Sequence, residues 1–538
     1  MISIFMYTVY MFFAILVLAQ STGIILDVSR PNPYAQGNDF SYYADISEDG
    51  NHIAFQSNAT NLLPGGVTFD LNGVSDIFVF DYQTKILKCA SLGALGNPGN
   101  KASHNPSLSA DGSIVVFNSQ ATDIISNDLT LGNDVFVHDL ASGLTERVSV
   151  DSAGIASNGA STWADVSGDG SLVVFRSTAD NLVAGDTNGF DDIFLHDRST
   201  GVTSLISGIG ADGPSTRPSI SSGGDFVAFE SLATNLVPGD VNSQSDIFLV
   251  ELNTGTITRV SEIAGIGGDS GSSYASVSNG GVAVAFQSAA SNLAPGDTGL
   301  ATDVFYWRNN GSSQTLVRIS EASGLGEAQG ASRVPDISKD GYSVAFQSLA
   351  PNLVVGDNNN KSDIFIWDQS TSHISIVSVS VLGDPADDYS LRPSVSGDGL
   401  RLAFESAASN IVSPDNNQRG DVFLLDLDPI LDRATLAGPT SIPVGSAASY
   451  TLVGDMPLAS YNILGSRSLG GYVFKYHYFD LGAKIYNLDG GYLDSNSQAT
   501  FNTGVIPARL SGRTIYLEAY IDQANEILDS NSVTVSIL

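Results

Sequence analysis

The sequence predicts an all-β protein: a β-propeller of seven four-stranded blades, closed by an N-terminal strand and followed by a small β-sandwich-like domain. Three observations predict this fold. One segment recurs seven times along the chain, and each copy holds four short apolar runs separated by Gly, Asp, Asn and Ser. No segment after residue 20 shows the 3.6-residue period of a helix of useful length.

Each copy is marked by an Asp-Ile/Val-Phe triplet at the start of its third strand. The seven aspartates are spaced by 58, 58, 54, 57, 60 and 58 residues and lie at Asp76, Asp134, Asp192, Asp246, Asp303, Asp363 and Asp421. In the third copy the predicted strands are Ser161–Ser167, Leu172–Ser177, Asp192–Asp197 and Val202–Ser207. Two Phe per copy, such as Phe175 and Phe194, are expected to stack between neighbouring blades and to supply much of the core.

The N-terminal segment is predicted to complete the seventh blade. The seventh copy ends at Asp426 without a fourth strand of the Arg-Val-Ser type, whereas ILDVSR stands before the first copy. Val28 precedes Asp45 by 17 residues, and Val148 precedes Asp165 by the same 17 residues one blade on. Residues 25–30 should therefore form the outer strand of the seventh blade, which would remove an exposed sheet edge.

The repeats resemble those of a known family. The segments ISEDGNHIAFQS, ISKDGYSVAFQS and VSGDGLRLAFES, followed by D-I-F-x-x-D and T-G, are similar to TolB-type, WD-repeat-like propeller repeats of bacteria over about residues 25–430. The resemblance implies the fold and says little about function, because such propellers serve as binding scaffolds and as parts of enzymes. TolB itself has an α/β domain before its propeller, for which this chain has no room, so its periplasmic role is not expected to transfer.

The two ends of the chain differ from the repeats. Residues 1–19 are apolar and uncharged, which predicts a secretory signal cleaved after Ala19 or, since no Lys or Arg precedes the run, an uncleaved anchor. Either places the propeller outside the cytoplasm, in the periplasm, at the cell surface or in the medium, with a membrane contact only if the segment stays attached. Residues 433–538 hold Tyr-rich alternating runs that predict a β-sandwich-like module, serving for surface attachment or as a folding cap.

Composition restricts the partners. The chain has 23 Lys+Arg against 57 Asp+Glu, a net charge of -34, and such a surface repels the phosphate backbone of nucleic acids. It favours cations, basic partners or solubility. Cys89 is the one cysteine, which excludes an intrachain disulfide and predicts a buried apolar role.

Calcium is the predicted cofactor of the loops between second and third strands. Tight turns join strands one to two and three to four, so the long connections should gather at one end of the ring. Five of these loops carry the pattern D-x-N-x-x-x-D: Asp70/Asn72/Asp76, Asp186/Asn188/Asp192, Asp240/Asn242/Asp246, Asp357/Asn359/Asp363 and Asp415/Asn417/Asp421. The other two read Asp128/Thr130/Asp134 and Asp297/Gly299/Asp303. Oxygen ligands at this spacing predict weak Ca²⁺ sites, with Kd about 10⁻⁴–10⁻³ M. The alternative is that these side chains cap their own turns.

The sequence favours a non-catalytic scaffold that binds a protein or a polysaccharide through the loop-rich face. It contains no G-x-S-x-G elbow, H-E-x-x-H motif or P-loop, and its recurring His138 and His196 are expected on a strand face. The candidate ligand-binding residues are Trp163 and three arginines that look equivalent in TRPSI, SRVPDI and LRPSV: Arg217, Arg333 and Arg392. These arginines would bind an anionic group such as a uronate or pair with loop aspartates. The alternative function is a polysaccharide lyase or glycoside hydrolase at the channel mouth, with Tyr274 added to the site.

Overall fold

The computed structural model describes most of the repeat region and part of the C-terminal region. The described residues are 24–31, 36–63, 72–126, 128, 130, 132–298, 301–311, 313–322, 326–380, 383–412, 415 and 417–427, followed by the strands between 434 and 537, for the backbone alone. The predicted signal or anchor segment lies outside the described residues, as do Asp70 and Gly299. The chain divides into two compact units, one holding Ile25–Ser380 and Asp384–Leu425, the other Asp426–Leu538.

The first unit is a ring of seven four-stranded antiparallel sheets, which confirms the predicted propeller. The chain starts with β1 (Ile24–Asp27). Blades 1 to 3 are formed by β2 (Ser41–Ile46), β3 (His52–Ser57), β4 (Asp76–Asp81) and β5 (Ile86–Cys89); β6 (Ser103–Leu108), β7 (Ile114–Ser119), β8 (Asp134–Asp139) and β9 (Thr145–Arg147); and β10 (Ser161–Val166), β11 (Leu172–Ser177), β12 (Asp192–Asp197) and β13 (Val202–Leu205).

The later blades repeat the same order of strands. Blade 4 is formed by β14 (Ser215–Ile220), β15 (Phe226–Ser231), β16 (Asp246–Glu251) and β17 (Thr256–Arg259) and is followed by a small hairpin of β18 (Glu262–Ile263) and β19 (Ile266–Gly267). Blades 5 to 7 contain β20 (Ser272–Val277), β21 (Ala283–Ser288), β22 (Asp303–Asn309) and β23 (Gln314–Arg318); β24 (Ser332–Ile337), β25 (Ser343–Ser348), β26 (Asp363–Asp368) and β27 (His373–Ile376); and β28 (Ser390–Val395), β29 (Arg401–Ser406) and β30 (Asp421–Asp426).

The second unit consists of strands as well. Its strands are β31 (Ala434–Ala437), β32 (Ser441–Ile442), β33 (Ser449–Gly454), β34 (Ser460–Ser466), β35 (Leu469–Phe474), β36 (His477–Leu481), β37 (Ile485–Tyr492), β38 (Gln498–Asn502), β39 (Thr514–Gln523), β40 (Glu526–Asp529) and β41 (Val533–Ile537). They form a three-stranded sheet, a six-stranded sheet and a separate hairpin of β35 and β36. In the described part of the whole chain the one helical segment is a 3₁₀ turn at Asn279–Gly281, and no helix there is long and apolar enough to span a membrane.

The N-terminal strand completes blade 7, as the repeat spacing predicts. The strand order in that sheet is β1-β30-β29-β28. The pairing continues past β1, where the Val28 N–H donates to the Val422 carbonyl at 2.9 Å. The Ser29 hydroxyl donates to Asp421 Oδ1 at 3.0 Å. The two ends of the repeat region are thus joined in one sheet, and the ring has no free edge at this point.

The core lies between neighbouring blades and is built around pairs of Phe. Phe175 and Phe194 face each other across β11 and β12 with ring centroids 5.9 Å apart, and both are fully buried. All seven blades hold such a pair, at centroid distances of 5.6 to 6.0 Å. The rings therefore stack within a blade rather than between blades. They pack with aliphatic side chains of the preceding blade, such as Val116 and Val137.

The tight turns between first and second strands form a hydrogen-bonded ring around the central axis. The Ala110 N–H donates to the Gly168 carbonyl, the Gly168 N–H to the Ser222 carbonyl, and the same pattern links all seven turns. A Cβ at position 168 would lie 2.3 Å from Ser222 Oγ, so a larger residue there would have to displace the Ser222 side chain. The Ser222 hydroxyl donates to Glu48 Oε2 at 2.9 Å, from blade 4 to blade 1. This contact joins two blades that are not neighbours in the ring.

Candidate ligand-binding site

The long loops at the other end of the ring are held in place by conserved side-chain geometry within the repeat. Asn181, in the loop after β11, accepts a hydrogen bond from the Asn158 N–H at 2.9 Å and donates to the Ala156 carbonyl at 2.9 Å. An Asn or Asp at this place accepts an N–H from the preceding connection in every blade: Asn61, Asp123, Asn181, Asn235, Asn292, Asn352 and Asn410. In each blade this contact joins the start of the loop after the second strand to the connection that precedes the first strand.

A β-bulge in the first strand of each blade directs one side chain toward the channel mouth. The register of β10 and β11 shifts between Thr162 and Asp165, and similar shifts recur in the other blades. The third residue of each first strand has a φ of 48° to 56°, in the left-handed region that costs a non-Gly residue energy: Tyr43, Asn105, Trp163, Arg217, Tyr274, Val334 and Arg392. We call these seven residues the bulge ring. A strained conformation repeated in all seven blades marks this ring as a candidate site.

Aromatic rings and guanidinium groups alternate along half of the bulge ring. The Arg217 guanidinium lies 4.2 Å from the centre of the Tyr274 ring and 5.0 Å from that of Trp163. The Arg392 guanidinium lies 4.1 Å from the centre of the Tyr43 ring. All five side chains are half-buried or nearly so, which leaves part of each surface open at the mouth. The structure thus brings Trp163, Arg217 and Arg392 of the predicted site into one ring with Tyr274, the candidate of the alternative function, and adds Tyr43.

Each of the two arginines is neutralised by a glutamate of the second strand. Arg217 Nη1 lies 2.5 Å from Glu230 Oε1, and Arg392 Nη1 lies 2.5 Å from Glu405 Oε1. The second oxygen of Glu230 accepts the Tyr274 N–H. Burial raises the pKa of both glutamates, and the arginines only partly offset it. The partners are therefore second-strand glutamates rather than loop aspartates, and the ring carries little net charge at this point.

Arg333 does not belong to the bulge ring, so the equivalence of the three arginines is wrong. It pairs in register with Gln347, one residue before the bulge, and Val334 takes the ring position. Arg333 is exposed and lines an open groove of about 600 Å³ together with Thr298, Thr302, Glu327 and Gln329. One sequence feature marks the bulge-ring position in every blade: the residue two positions after it is Asp or Ser. In this blade Asp336 follows Val334 at that distance.

The second aspartate of every D-x-N-x-x-x-D loop caps its own blade. Asp363 Oδ1 accepts the Ser378 hydroxyl at 2.7 Å, and Asp363 Oδ2 accepts the Asn359 amide at 2.6 Å. The corresponding aspartate accepts the hydroxyl of the serine two residues after the outer strand in all seven blades: Ser91, Ser149, Ser207, Ser261, Ser320, Ser378 and Ser29. Burial raises the pKa of Asp363 to about 7. These contacts support the capping alternative for the second aspartate.

The predicted metal ligands lie where the repeat places them, with Asp70 outside the described residues. Asn72, Asn188, Asn242, Asn359 and Asn417 each donate their amide to the aspartate four residues on. The amide oxygens of Asn72, Asn188, Asn242, Asn359 and Asn417 accept the N–H two residues on. The asparagines therefore orient the loops. In the described part of the chain, no group of three or more His, Cys, Asp or Glu side chains is arranged to hold a metal ion.

Three aspartates that the sequence analysis did not single out line the channel below the bulge ring. Asp165 accepts the Ser107 hydroxyl of blade 2 at 2.7 Å and the Ile220 N–H of blade 4 at 2.8 Å. Asp45 likewise accepts the Ser394 hydroxyl and the Leu108 N–H, from the two blades on either side of it. Asp336 accepts the Ser276 hydroxyl and the Val395 N–H in the same way. Burial and the charges of Asp336 and Asp165 raise the pKa of Asp45 to about 7. Burial disfavours the charge of Lys339, but the surrounding carboxylates outweigh it and raise its pKa.

The histidines of the repeat lie on a strand face, as expected. His138 and His196 are buried and hydrogen-bond to Thr145 and Thr203 at 2.8 and 2.9 Å. Burial lowers the pKa of both rings, which favours their neutral form. Cys89 is buried as well. None of these three side chains belongs to the bulge ring.

Known proteins are similar to this chain only at a distant level. No family model and no curated protein matches the sequence. Among solved structures, an oligogalacturonate lyase in complex with manganese is 13% identical, covering 75% of this chain and 93% of that chain with a TM-score of 0.44. A putative TolB from Agrobacterium tumefaciens is 15% identical, covering 64% of this chain and 96% of that chain with a TM-score of 0.36. Likenesses at this level support no conclusion about activity.

Proposed function

We propose that the protein is an exported, non-catalytic scaffold that binds a polysaccharide at the loop-rich end of its propeller. The observation that carries this proposal is the bulge ring, where Trp163, Tyr274 and Tyr43 present aromatic faces around one opening. Aromatic side chains offer a large apolar face together with a polar tip, which suits the C–H faces and hydroxyls of a sugar ring. The ring residues lie on the first strands of the blades, where the same β-bulge recurs in all seven sheets, so little order has to be gained on binding.

The charges at the mouth favour a neutral glycan over an acidic one. Arg217 and Arg392 already pair with Glu230 and Glu405, so neither guanidinium is left as a free clamp for a uronate. The net charge of -34 also repels a polyanionic chain. A neutral oligosaccharide would stack on the aromatic faces and hydrogen-bond with the arginines from the side.

Calcium is the proposed cofactor of the loop-rich face. The loops after the second strands bring two buried carboxylates close together, and carboxylate oxygens are the ligands that Ca²⁺ prefers. Bound calcium would add positive charge beside the mouth and stabilise these loops. The C-terminal unit, residues 433–538 in the sequence prediction, is proposed to attach the scaffold at the cell surface.

The test is direct binding to neutral oligosaccharides. Cello-, xylo-, manno- and malto-oligosaccharides are titrated into the full chain by calorimetry, against the variants Trp163→Ala and Tyr274→Ala. Both variants should weaken binding by at least about fivefold, since stacking on one aromatic ring contributes about 1–3 kcal/mol in comparable complexes with nucleobases.

Tyr342→Ala is the matched control for these variants. Tyr342 is also an exposed aromatic with an arginine over its ring, Arg308 at 5.3 Å, but it follows a tight turn at the opposite end of the ring. Its replacement should leave affinity unchanged. Equal losses in Trp163→Ala and Tyr342→Ala, or no binding by any of the four glycans, would overturn the proposal.

A lyase or glycosidase at the mouth is the second candidate, and one observation favours it. Tyr274 lies against Arg217, whose guanidinium is 4.2 Å from the centre of the tyrosine ring. A tyrosine beside an arginine resembles what proton abstraction next to a uronate would need. Incubation with oligogalacturonate, followed by the ultraviolet absorbance of an unsaturated product, tests the lyase. Activity that is lost in Tyr274→Phe would establish it and displace the scaffold.

A glycosidase would need two carboxyl groups on either side of the scissile bond. The two at the mouth are Glu230 and Glu405, and each has one oxygen on an arginine and the other on a backbone N–H. Reducing-sugar release from the four neutral glycans, compared between the native chain and Glu230→Gln, tests this possibility.

A further inference from the structure

In three blades an arginine stands between the two carboxylates of the loop. Arg147 Nη1 lies 3.0 Å from Asp128 Oδ1 and 3.5 Å from Asp134 Oδ2 in blade 2. In blade 4, Arg259 lies 3.3 Å from Asp240 and 3.7 Å from Asp246. In blade 5, Arg318 lies 3.6 Å from both Asp297 and Asp303. The guanidinium supplies a positive charge to a buried pair of carboxylates that would otherwise repel each other.

Blades 3 and 6 have an aliphatic residue in place of this arginine. The equivalence follows from the sheet register, because Arg147, Arg259 and Arg318 each pair with the Phe of the third strand. The residues that pair with the same Phe in blades 3 and 6 are Leu205 and Ile376. Neither can neutralise a carboxylate.

The carboxylate pairs of these two blades are buried without a counter-charge. In blade 6, Asp357 is 8% exposed and Asp363 is fully buried, and Asp357 Oδ1 has no hydrogen-bond partner. In blade 3, Asp186 is 7% exposed and Asp192 is fully buried. Among the residues that the structure describes, no Lys, Arg or His pairs with any of these four carboxylates.

The basic residues nearby are engaged elsewhere. Arg176 of blade 3 pairs with Asp191, and Lys361 of blade 6 pairs with Asp388. An unpaired buried carboxylate is unfavourable, so the pair must either hold a proton or gain a cation from solution.

Building on the calcium part of the proposed function, we propose that blades 3 and 6 each bind one Ca²⁺ between their two loop aspartates, where blades 2, 4 and 5 have arginine. In this assignment Asp186 and Asp192 are the carboxylate ligands of one ion, and Asp357 and Asp363 of the other. Water and backbone carbonyls complete the six to eight oxygens that Ca²⁺ takes. Asn188 and Asn359 position the second aspartate through their amide N–H and are not the main ligands.

The first experiment counts calcium ions. The full chain, freed of metal with EDTA, is titrated with CaCl₂ by calorimetry, and the double variant D186N/D357N is compared with the native chain. The double variant should lose two sites. D128N is the matched control: it changes the same motif position in a blade with arginine, and it should leave the calcium stoichiometry unchanged.

The second experiment exchanges the residue that pairs with the Phe of the third strand, which is arginine in some blades and aliphatic in others. Ile376→Arg should abolish the calcium site of blade 6, and Arg147→Leu should create one in blade 2. Melting curves report the same result, because free Ca²⁺ at ten times Kd raises the folded-to-unfolded ratio about tenfold per site. Ile376→Leu, which keeps the apolar side chain, controls for packing and should retain calcium binding.

The outcomes separate this assignment from the calcium proposal as a whole. If calcium binds but D186N/D357N and D128N behave alike, the loops bind calcium and the arginine rule is wrong. If calcium neither binds nor raises the melting temperature, both are wrong, and higher stability at low pH would then show that the pairs hold protons. Glycan binding at the bulge ring is measured separately, in EDTA and in CaCl₂. A chain that binds no glycan is therefore distinguished from a chain that binds no calcium and from one in which the arginine rule is wrong.

Discussion

The Arg217 guanidinium lies 4.2 Å from the centre of the Tyr274 ring, while its Nη1 contacts Glu230 at 2.5 Å. Three blades contribute to this cluster, because the same guanidinium lies 5.0 Å from the centre of the Trp163 ring of blade 3. The cluster is thus built across blades from residues at one repeated position. The charges of Arg217 and Glu230 cancel locally, so an acidic protein presents little net charge beside these aromatic rings.

The glutamates are predicted to set the ligand preference. The double variant Glu230→Gln and Glu405→Gln keeps the hydrogen bonds to the backbone but leaves two arginines uncompensated. Binding of oligogalacturonate should then strengthen, by about 1 kcal/mol or more per arginine, since hydrogen bonds to charged groups contribute about 1.5–3 kcal/mol. Calorimetry with oligogalacturonate and with the neutral glycans measures the change. Glu251→Gln, a glutamate next to a tight turn, is the control; equal effects in both would contradict the prediction.

The closure of the ring is predicted to depend on Ser29. Its hydroxyl donates to Asp421 and accepts the Val422 N–H, and both partners are buried. Ser29→Ala leaves two buried groups unsatisfied, which should cost about 1–3 kcal/mol of unfolding free energy. Deleting residues 25–30 should lower the melting temperature much further. Val241→Ala, at an 87% exposed position, should change little; an unchanged melting temperature in the deletion would rule out the closure.

Stability without calcium is predicted to fall as pH rises toward 8. Asp45, Asp363 and Asp421 have a pKa of about 7 in the folded chain, chiefly because of burial, against an ordinary 3.8. A carboxyl group with a raised pKa holds its proton more tightly when folded, so its stabilising effect is full below about pH 4 and lost through pH 7. The melting temperature in EDTA should therefore be higher at pH 5 than at pH 8. A higher value at pH 8 would contradict these assignments.

Lys339 is predicted to stabilise the channel. It is the positive charge among Asp45, Asp165, Asp336 and Glu48, and all four carboxylates act on it. Lys339→Met should destabilise the ring at pH 8 by less than the roughly 3–5 kcal/mol of a dry buried pair, because these groups remain partly open to the channel. At pH 5, where Asp45 is protonated, the loss should be smaller. Denaturant unfolding at both pH values measures it, and an equal loss at both would argue against the charge role.

Much of the fold could be predicted from the sequence because the same pattern of strands and turns occurs in seven copies. The blade boundaries, the closing strand expected at residues 25–30 and the capping alternative for the loop aspartates follow from spacing and turn chemistry. The bulge ring itself was not predicted. Trp163, Arg217 and Arg392, offered as ligand-binding residues, lie in it, but Arg333 lies one residue before it, because a bulge changes the register without changing the apolar pattern. The arginine between two carboxylates was missed since Arg147 and Asp128 are brought together only by strand pairing.

The most direct test of the central claim uses Trp163 as its own reporter. Of the three tryptophans, Trp307 and Trp367 are 3% and 6% exposed, while Trp163 is half-buried at the mouth. Tryptophan emission and its quenching by acrylamide are measured during titration with the four neutral glycans. The account predicts that at least one glycan shifts the emission and protects it from acrylamide, and that Trp163→Phe abolishes the signal. Unchanged emission and quenching with all four glycans would contradict it.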